Sequence, residues 1–281
     1  MSIGFIEVAG RRTRVRLDGD PGSSPVVLLH GIGRSLEDWS EVVLRLSSQH
    51  RVISLDLAGS GFSERLATPT DLAGLARAVL QTLDELGETR PVHAIGNSLG
   101  GAVAQQLVVE APDRVASLVL LNSAGFGSEV TPALRLLAVP VLGRFLATHP
   151  TKDSIAMTER ACYAEAKHAT SVRLEHARAV AAEPGTGEVM WETVRSMATL
   201  RAGILPTWRE QLLRRVAESG TPTLVVWGDR DKILPSRHLE AARRALPEAS
   251  TYLFKGVGHM PQVERPAELA ELALEFLAVA A

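Results

Sequence analysis

The stretch Gly96-Asn97-Ser98-Leu99-Gly100 decides how the rest of the chain is interpreted. The apolar run at residues 92–95 predicts a strand before it, and residues 102–109 predict a buried helix after it. Glycines two positions before and after Ser98 fit a very tight strand-to-helix turn, which side chains would crowd. We therefore expect a positive φ at Ser98 and a hydroxyl at a helix N-terminus, where unpaired N–H groups favour negative charge.

The alternation of strand and helix continues on both sides of this serine turn (residues 96–100). Alternating residues at 5–8 and 13–17 predict an antiparallel hairpin at a sheet edge. The continuous apolar run at residues 26–29 predicts a strand that is covered on both faces, and further strands are predicted at residues 51–55, 116–121, 223–227 and 251–254. We therefore predict an α/β fold in which a mostly parallel sheet carries helices on both faces.

The strand–helix rhythm stops after residue 124. No strand-like run is visible from residue 125 to 217, where prolines divide a segment rich in Ala, Leu, Arg and Glu into several predicted helices. The segment leaves the sheet at the end of a strand, which is the edge where ligands bind in such sheets. We predict a core domain of residues 1–124 and 218–281, and a helical cap of residues 125–217 over Ser98. The alternative is a separate helical domain with no part in the site.

Composition limits the classes of function. The 281 residues carry a net charge of −2 and 4% aromatic residues, so we expect no nucleic-acid partner. Apolar stretches fall short of the roughly 20 residues of a membrane span, and no signal-peptide pattern is present. With the single cysteine, Cys162, these observations favour a cytoplasmic protein without a membrane partner.

The sequence also lacks the patterns of metal and nucleotide sites. No cluster of His, Cys and carboxylate residues has metal-site spacing, so we expect no metal. No glycine-rich nucleotide motif is present either, so we expect no cofactor. The expected partner is a small-molecule substrate, and a homodimer is left open.

A serine hydroxyl becomes a nucleophile when an imidazole takes its proton and an acid fixes the tautomer of that imidazole. His259 follows the last predicted strand, so it can reach the same sheet edge as Ser98. Asp229 and Asp231 both follow the strand at 223–227, and residues two apart on an extended segment point to the same side. We favour Asp231 because it lies deeper in the loop, and Asp229 is the alternative.

Attack on a carbonyl group creates an oxyanion, which needs preorganised hydrogen-bond donors. The Leu99 N–H, directly after the serine at the start of the helix, is one candidate. The Ile32 N–H, in the loop at residues 30–33, is the second. Since both donors are backbone groups, apolar side chains are acceptable at both positions.

Five motifs, taken together and in their order, resemble the α/β-hydrolase superfamily over nearly the whole chain. They are His-Gly-Ile-Gly at 30–33, Asp-x-x-Gly-x-Gly-x-Ser at 56–63, Gly-Asn-Ser-Leu-Gly-Gly at 96–101, Gly-x-x-Asp at 228–231 and Gly-His at 258–259. The resemblance implies an eight-stranded sheet with a helical cap after the sixth strand. It also implies a catalytic triad of Ser98, Asp231 and His259, in the chain order of this superfamily. The oxyanion hole would be the amides of Ile32 and Leu99.

Within the superfamily, the 96–101 motif is similar to carbon–carbon hydrolases of meta-cleavage ring products and to some esterases. Residues 260–264 lack the tryptophan that is common after the histidine in ring-product hydrolases. Several cap arginines are candidates for the carboxylate-binding arginine of those enzymes: Arg160, Arg173, Arg178, Arg195 and Arg201. We predict a carboxylesterase-like serine hydrolase that cleaves a small, fairly apolar ester through an acyl-enzyme. The alternatives are a carbon–carbon bond hydrolase of vinylogous diketones and a non-catalytic ligand-binding protein on the same scaffold.

Overall fold

An eight-stranded sheet forms the centre of the protein in the computed structural model, which describes residues 2–280. The eight strands of this sheet are β1 (Ser2–Val8), β2 (Arg11–Asp18), β3 (Pro25–Leu29), β4 (Arg51–Leu55), β5 (Val92–Asn97), β6 (Val115–Leu121), β9 (Thr223–Gly228) and β10 (Ser250–Phe254). Two further strands, β7 (Ala198–Thr199) and β8 (Gly203–Ile204), pair only with each other. The sheet order is β1-β2-β4-β3-β5-β6-β9-β10, and all pairs from β4 onward are parallel. Strands β1 and β2 form the predicted antiparallel hairpin at the edge. The predicted fold class is confirmed.

The helices are α1 (Ser40–Leu46), α2 (Leu72–Glu85), α3 (Leu99–Glu110), α4 (Pro132–Leu137), α5 (Pro140–Thr148), α6 (Lys152–Ala161), α7 (Ser171–Ala182), α8 (Thr186–Met197), α9 (Pro206–Ser219), α10 (His238–Ala245), α11 (Pro261–Glu264) and α12 (Pro266–Val279). Several begin at a proline, which suits the first helical position because its missing N–H has no partner there. Within residues 2–280, no helix combines the length and apolar character needed to cross a membrane.

Alternate residues of the central strands pack into two separate cores. Val27 and Leu29 of β3 join one core with α2, α3, α9 and α10. Val26 and Leu28 join the other core with α1 and α12. Because successive side chains of a strand point to opposite faces, a strand buried on both faces needs an unbroken apolar run. This is why the central strands were visible in the sequence as continuous runs.

Six helices, α4 to α9, lie between β6 and β9. The expectation that this segment holds no strand is wrong at one place, since β7 and β8 form a short antiparallel ribbon. Each of these strands has two residues, which is too short for a hydrophobic period to be visible. Helix α9 also continues to Ser219, past the predicted boundary at residue 217. The division into a core of 1–124 and 218–281 and a cap of 125–217 stays a prediction, and residues 1 and 281 lie outside the described part.

Candidate active site

The serine turn has the backbone geometry that the sequence predicts. Ser98 has φ 57° and ψ −116° and is the N-cap residue of α3. A Cβ atom at Gly96 would lie 2.2 Å from the Gly100 carbonyl oxygen, and one at Gly100 would lie 2.1 Å from the Leu29 carbonyl oxygen. Both glycines are therefore required by close backbone contacts. Such a strained serine conformation persists only where the surrounding structure holds it in place.

His259 lies directly against Asp231. The His259 Nδ1 atom is 2.7 Å from the Asp231 Oδ2 atom, and the two side chains are 5% and 0% exposed. A carboxylate accepts hydrogen bonds, so Nδ1 carries the proton and donates it. The neutral ring therefore has an unprotonated Nε2 that can accept a proton.

Asp231 has hydrogen-bond donors on both carboxylate oxygens. The Oδ1 atom accepts the N–H groups of Ile233 at 2.7 Å and Leu234 at 3.0 Å. The Oδ2 atom accepts the Asn122 Nδ2–H at 2.6 Å in addition to the imidazole. These bonds fix the carboxylate in position, so that it can orient the ring of His259.

Asp229, the alternative acid, has a different role. Its Oδ1 atom accepts the Gly256 N–H at 2.7 Å, which braces the turn after β10. Its other oxygen is 4.0 Å from the Lys255 ammonium group. The structure thus brings Asp231 to His259 and directs Asp229 to a turn.

Ser98 is tied to the histidine loop through its neighbour. The Asn97 Nδ2–H donates to the carbonyl oxygens of His259 at 3.0 Å and Leu121 at 3.2 Å. Ser98 and His259 are 8% and 4% exposed. Among residues 2–280, no hydrogen bond joins the Ser98 hydroxyl to the His259 ring. Such bonds are often long without substrate and shorten when it binds.

Two backbone N–H groups beside Ser98 donate no hydrogen bond to any acceptor within residues 2–280. Leu99 is the first residue of α3, so its N–H has no partner inside the helix. The Ile32 N–H donates no hydrogen bond within residues 2–280. A Cβ atom at Gly31 would lie 3.4 Å from the Ser98 Cβ atom, so the loop that carries Ile32 lies against the serine. Both groups can donate to a ligand.

His30 braces this loop, as its place at a strand end suggested. Its Nε2 atom accepts the Leu57 N–H at 2.9 Å, so its Nδ1 atom carries the proton and donates to the Gly31 carbonyl oxygen at 2.8 Å. Both ring nitrogens are therefore occupied, and His30 has no free nitrogen to act as the base.

Helices of the inserted segment contact the same loops. A Cβ atom at Gly33 would lie 2.5 Å from the Met190 Cε atom, so α8 packs directly on the loop at 30–33. Arg34 donates to the Asp38 carboxylate at 2.8 and 2.6 Å and forms an ion pair with Glu159 of α6. Burial alone would lower the pKa of Arg34, but Asp38 and Glu159 outweigh it and raise that pKa.

Sequence reasoning missed several residues that build this site. Asn97, Glu159 and Glu264 each contact a residue more than 90 positions away or bridge two loops. Local patterns hold no information on such contacts. Only the position of Asn97 inside the serine turn could have drawn attention to it. The sole cysteine, Cys162, is no competing nucleophile, since burial raises the pKa of its thiol to about 12.

Comparison with known proteins identifies the family. Residues 24–266 match the family model of the alpha/beta hydrolase fold. The chain belongs to the α/β-hydrolase family. The dihydrolipoyllysine-residue acetyltransferase component of the acetoin cleaving system from Cupriavidus necator is 32% identical over 275 residues, covering 97% of this chain and 68% of that protein.

Other members of the α/β-hydrolase family are also similar. Lipase 1 of Psychrobacter immobilis is 27% identical over 258 residues, covering 90% of this chain and 77% of the lipase. The solved structure of 2-hydroxy-6-oxo-6-phenylhexa-2,4-dienoate hydrolase from Rhodococcus sp. strain RHA1 is 25% identical, with a TM-score of 0.81 and coverage of 99% and 100%. The protein is an α/β-fold hydrolase.

Proposed function

We propose that this α/β-hydrolase cleaves a small, fairly apolar ester, with Ser98 as nucleophile, His259 as general base and Asp231 as orienting acid. The observation that carries the proposal is the 2.7 Å pair of His259 and Asp231 at the sheet edge where Ser98 forms its turn. The similarity to a lipase supports an ester as the substrate. No cofactor is needed, because every proton and electron pair of the reaction comes from the ester, water and these side chains.

The reaction has two balanced halves. In the first, the Ser98 Oγ atom attacks the carbonyl carbon while His259 Nε2 takes the hydroxyl proton. The tetrahedral intermediate collapses, and His259 returns that proton to the leaving alcohol, which leaves an acyl-enzyme. In the second, His259 takes a proton from water, the hydroxide attacks the acyl carbon, and the proton returns to Ser98 as the acid leaves. The Asp231 carboxylate stabilises the imidazolium formed in each half.

The N–H groups of Ile32 and Leu99 would hold the oxyanion in both halves. They are rigid, because one begins a helix and the other belongs to the loop braced by His30. Losing one such donor typically lowers the rate by about 100- to 1,000-fold. Residues 125–217 would serve as the cap, since Met190 of α8 packs on the loop that carries Ile32.

Nitrophenyl esters of increasing acyl length test this proposal. We expect the wild-type protein to hydrolyse at least the short esters, and Ser98→Ala and His259→Ala each to lower kcat by about 1,000-fold or more. The control is His149→Ala, which changes an exposed histidine directly after α5 and should retain the wild-type rate. Wild-type ester turnover by folded Ser98→Ala would refute the proposal.

A carbon–carbon bond hydrolase is the second candidate, favoured by the similarity to the dienoate hydrolase. Two observations weigh against it. Residues 260–264 lack the tryptophan that is common after the histidine in ring-product hydrolases. Among the candidate cap arginines, Arg173 lines a cavity of about 310 Å³. Its guanidinium group is 3.5 Å from the Asp38 carboxylate, so its charge is already paired within the protein. Turnover of a dienoate substrate in excess of nitrophenyl esters would favour this candidate.

The third reading of the sequence, a non-catalytic ligand-binding protein, is disfavoured by the similarity to a lipase and to 2-hydroxymuconate semialdehyde hydrolase. Such a protein would bind small ligands but would neither turn over esters nor react with a fluorophosphonate.

A cytoplasmic location is proposed from the single cysteine and is tested by cell fractionation.

A further inference from the structure

Three consecutive residues of the inserted segment, Cys162, Tyr163 and Ala164, lie against the loops of the candidate active site. We call them the docking segment; they follow α6 directly. We propose that Glu264 is a positioning residue that couples the docking segment to the loop of His259, so that docking of this segment fixes the imidazole. This inference rests on the proposed function.

Glu264 bridges the two loops with one carboxylate. Its Oε1 atom accepts the Gly258 N–H at 2.9 Å, and its Oε2 atom accepts the Ala164 N–H at 2.9 Å. The backbone of His259 is bound to the same segment, since its N–H donates to the Cys162 carbonyl oxygen at 2.8 Å. The docking segment therefore holds the His259 N–H directly and the Gly258 N–H through Glu264.

The packing leaves no space between the two backbones. A Cβ atom at Gly258 would lie 2.5 Å from the Ala164 nitrogen and 2.7 Å from the Tyr163 carbonyl carbon. Glycine is required here by this close approach. A shift of the docking segment must therefore move the loop of His259, because the contact is between two main chains.

The docking segment also reaches the acid loop and the oxyanion loop. Lys232, next to Asp231, donates from Nζ to the Tyr163 carbonyl oxygen at 3.2 Å. The Tyr163 hydroxyl donates to Glu159 at 2.5 Å, and Glu159 pairs with Arg34, two residues after Ile32. The docking segment thus contacts the loops of the proposed base and acid directly, and reaches the loop of one proposed oxyanion donor through Glu159.

The environment of Glu264 fits a role in positioning. The residue is 6% exposed, and within residues 2–280 it forms no ion pair. Burial raises the pKa of the Glu264 carboxyl, and the two N–H groups oppose that effect. A buried carboxylate without a cation is unfavourable unless its oxygens accept hydrogen bonds, and here both do.

The test compares Glu264→Gln, Glu264→Asp and the control Glu268→Gln. Glu268 is exposed and forms only a surface pair with Arg265 at 3.4 Å, so its loss changes charge without touching the site. The readouts are kcat and KM for a nitrophenyl ester and the rate at which a fluorophosphonate labels Ser98. The labelling rate reports activation of the serine, and a residue needed only for stability would not change it in folded protein.

We expect Glu264→Gln to lower kcat and the labelling rate by about 10- to 100-fold with little change in KM, because small displacements of a base have effects of this size. The amide replaces one of the two acceptor oxygens with an NH₂ donor, which would face either the Gly258 N–H or the Ala164 N–H. Glu264→Asp keeps two acceptors on a shorter chain and should restore part of the rate. Glu268→Gln should match the wild type.

The proposal is overturned if folded Glu264→Gln keeps the wild-type kcat and labelling rate. If that variant does not fold, Gly258→Ala takes its place, since its Cβ must displace the docking segment; an unchanged labelling rate in folded Gly258→Ala overturns the proposal equally. Failure of the proposed function would give a different result from failure of this inference. Only if the proposed function fails would folded Ser98→Ala keep hydrolysing the nitrophenyl ester.

Discussion

At the scale of single residues, the two aspartates after β9 show how the site is assigned. Residues 229 and 231 have the same direction on an extended segment, so spacing alone left both open. Asp231 is selected because the N–H groups of Ile233 and Leu234 fold back onto its carboxylate and hold it against His259. Asp229 instead accepts the Gly256 N–H in the turn after β10.

This difference gives a paired prediction. Asp231→Asn should lower kcat for a nitrophenyl ester by about 1,000- to 10,000-fold, because an amide favours the wrong imidazole tautomer and no longer stabilises imidazolium. Asp229→Asn should stay within about threefold of the wild type, since its carboxylate accepts the Gly256 N–H and not the His259 imidazole, and an amide oxygen can still accept that bond. Equal losses in both variants, measured by steady-state kinetics on folded proteins, would contradict the assignment.

The serine turn was predictable at this scale, and Glu264 was not. The glycines around Ser98 are a local signal, because the turn needs them at fixed positions. Glu264 acts on Ala164, a residue 100 positions away, and on Gly258. The identity of such partners depends on how two loops dock, which no local pattern records.

At the scale of elements, β5 carries a buried histidine as well as the serine turn. The His93 ring lies between two serine hydroxyls at the start of the strand. Its Nδ1 atom is 2.8 Å from the Ser117 Oγ atom, and its Nε2 atom is 3.1 Å from the Ser24 Oγ atom. Burial, with a smaller effect from His50, lowers the pKa of His93 to about 4. The strand therefore holds this imidazole neutral at neutral pH.

A pH dependence of stability follows. The unfolded chain protonates this histidine near pH 6.5, so between pH 6.5 and 4 it binds more protons than the native state. Stability from this group is fully present above pH 6.5 and is lost as the pH falls toward 4. Between pH 7 and 5 we expect a loss of about 1 to 2 kcal/mol from His93.

Urea unfolding at pH 7 and pH 5 measures this effect. His93→Asn should lose less stability than the wild type over this interval, whereas His149→Asn, which changes an exposed ring, should follow the wild type. An identical pH dependence in wild type and His93→Asn would contradict the explanation.

The elements themselves were predictable where a hydrophobic period was long enough. Strand β5 is fully buried, and helix α3 is buried except at Gln106, Val109 and Glu110. The apolar runs of both elements made them predictable. The spacing of apolar residues at 36–48 predicts one helix, but a 3₁₀ turn, Leu36–Trp39, comes before α1. The Asp56 carboxylate accepts the Leu36 N–H of this turn at 2.7 Å, a contact across 20 residues that local spacing does not record. The ribbon of β7 and β8 is local, but its strands are too short to show a period.

At the scale of the whole molecule, the parallel strands bring the proposed catalytic residues to one edge of the sheet. Ser98 follows β5, Asp231 follows β9 and His259 follows β10, and these strands end on the same side because they run in one direction. Ligands bind outside the carboxyl ends of strands in such sheets. The sequence could predict this convergence from strand direction alone.

The docking of the inserted segment is also a property of the whole molecule. Arg34, Asp38 and Glu159 form a buried ionic cluster between the loop after β3 and helix α6. Removing one partner from a buried pair is strongly unfavourable, so we expect this cluster to stabilise the contact of α6 with the loop after β3. Arg34 and Glu159 are 125 residues apart along the chain, which is why only the fold reveals their pairing.

The site of covalent labelling by a fluorophosphonate, determined by intact mass and peptide mapping, tests most directly whether Ser98 is a nucleophile activated by His259. We expect one adduct, on Ser98, which is lost in Ser98→Ala and forms far more slowly in His259→Ala. Labelling at another residue, or labelling of His259→Ala at the wild-type rate, would contradict it.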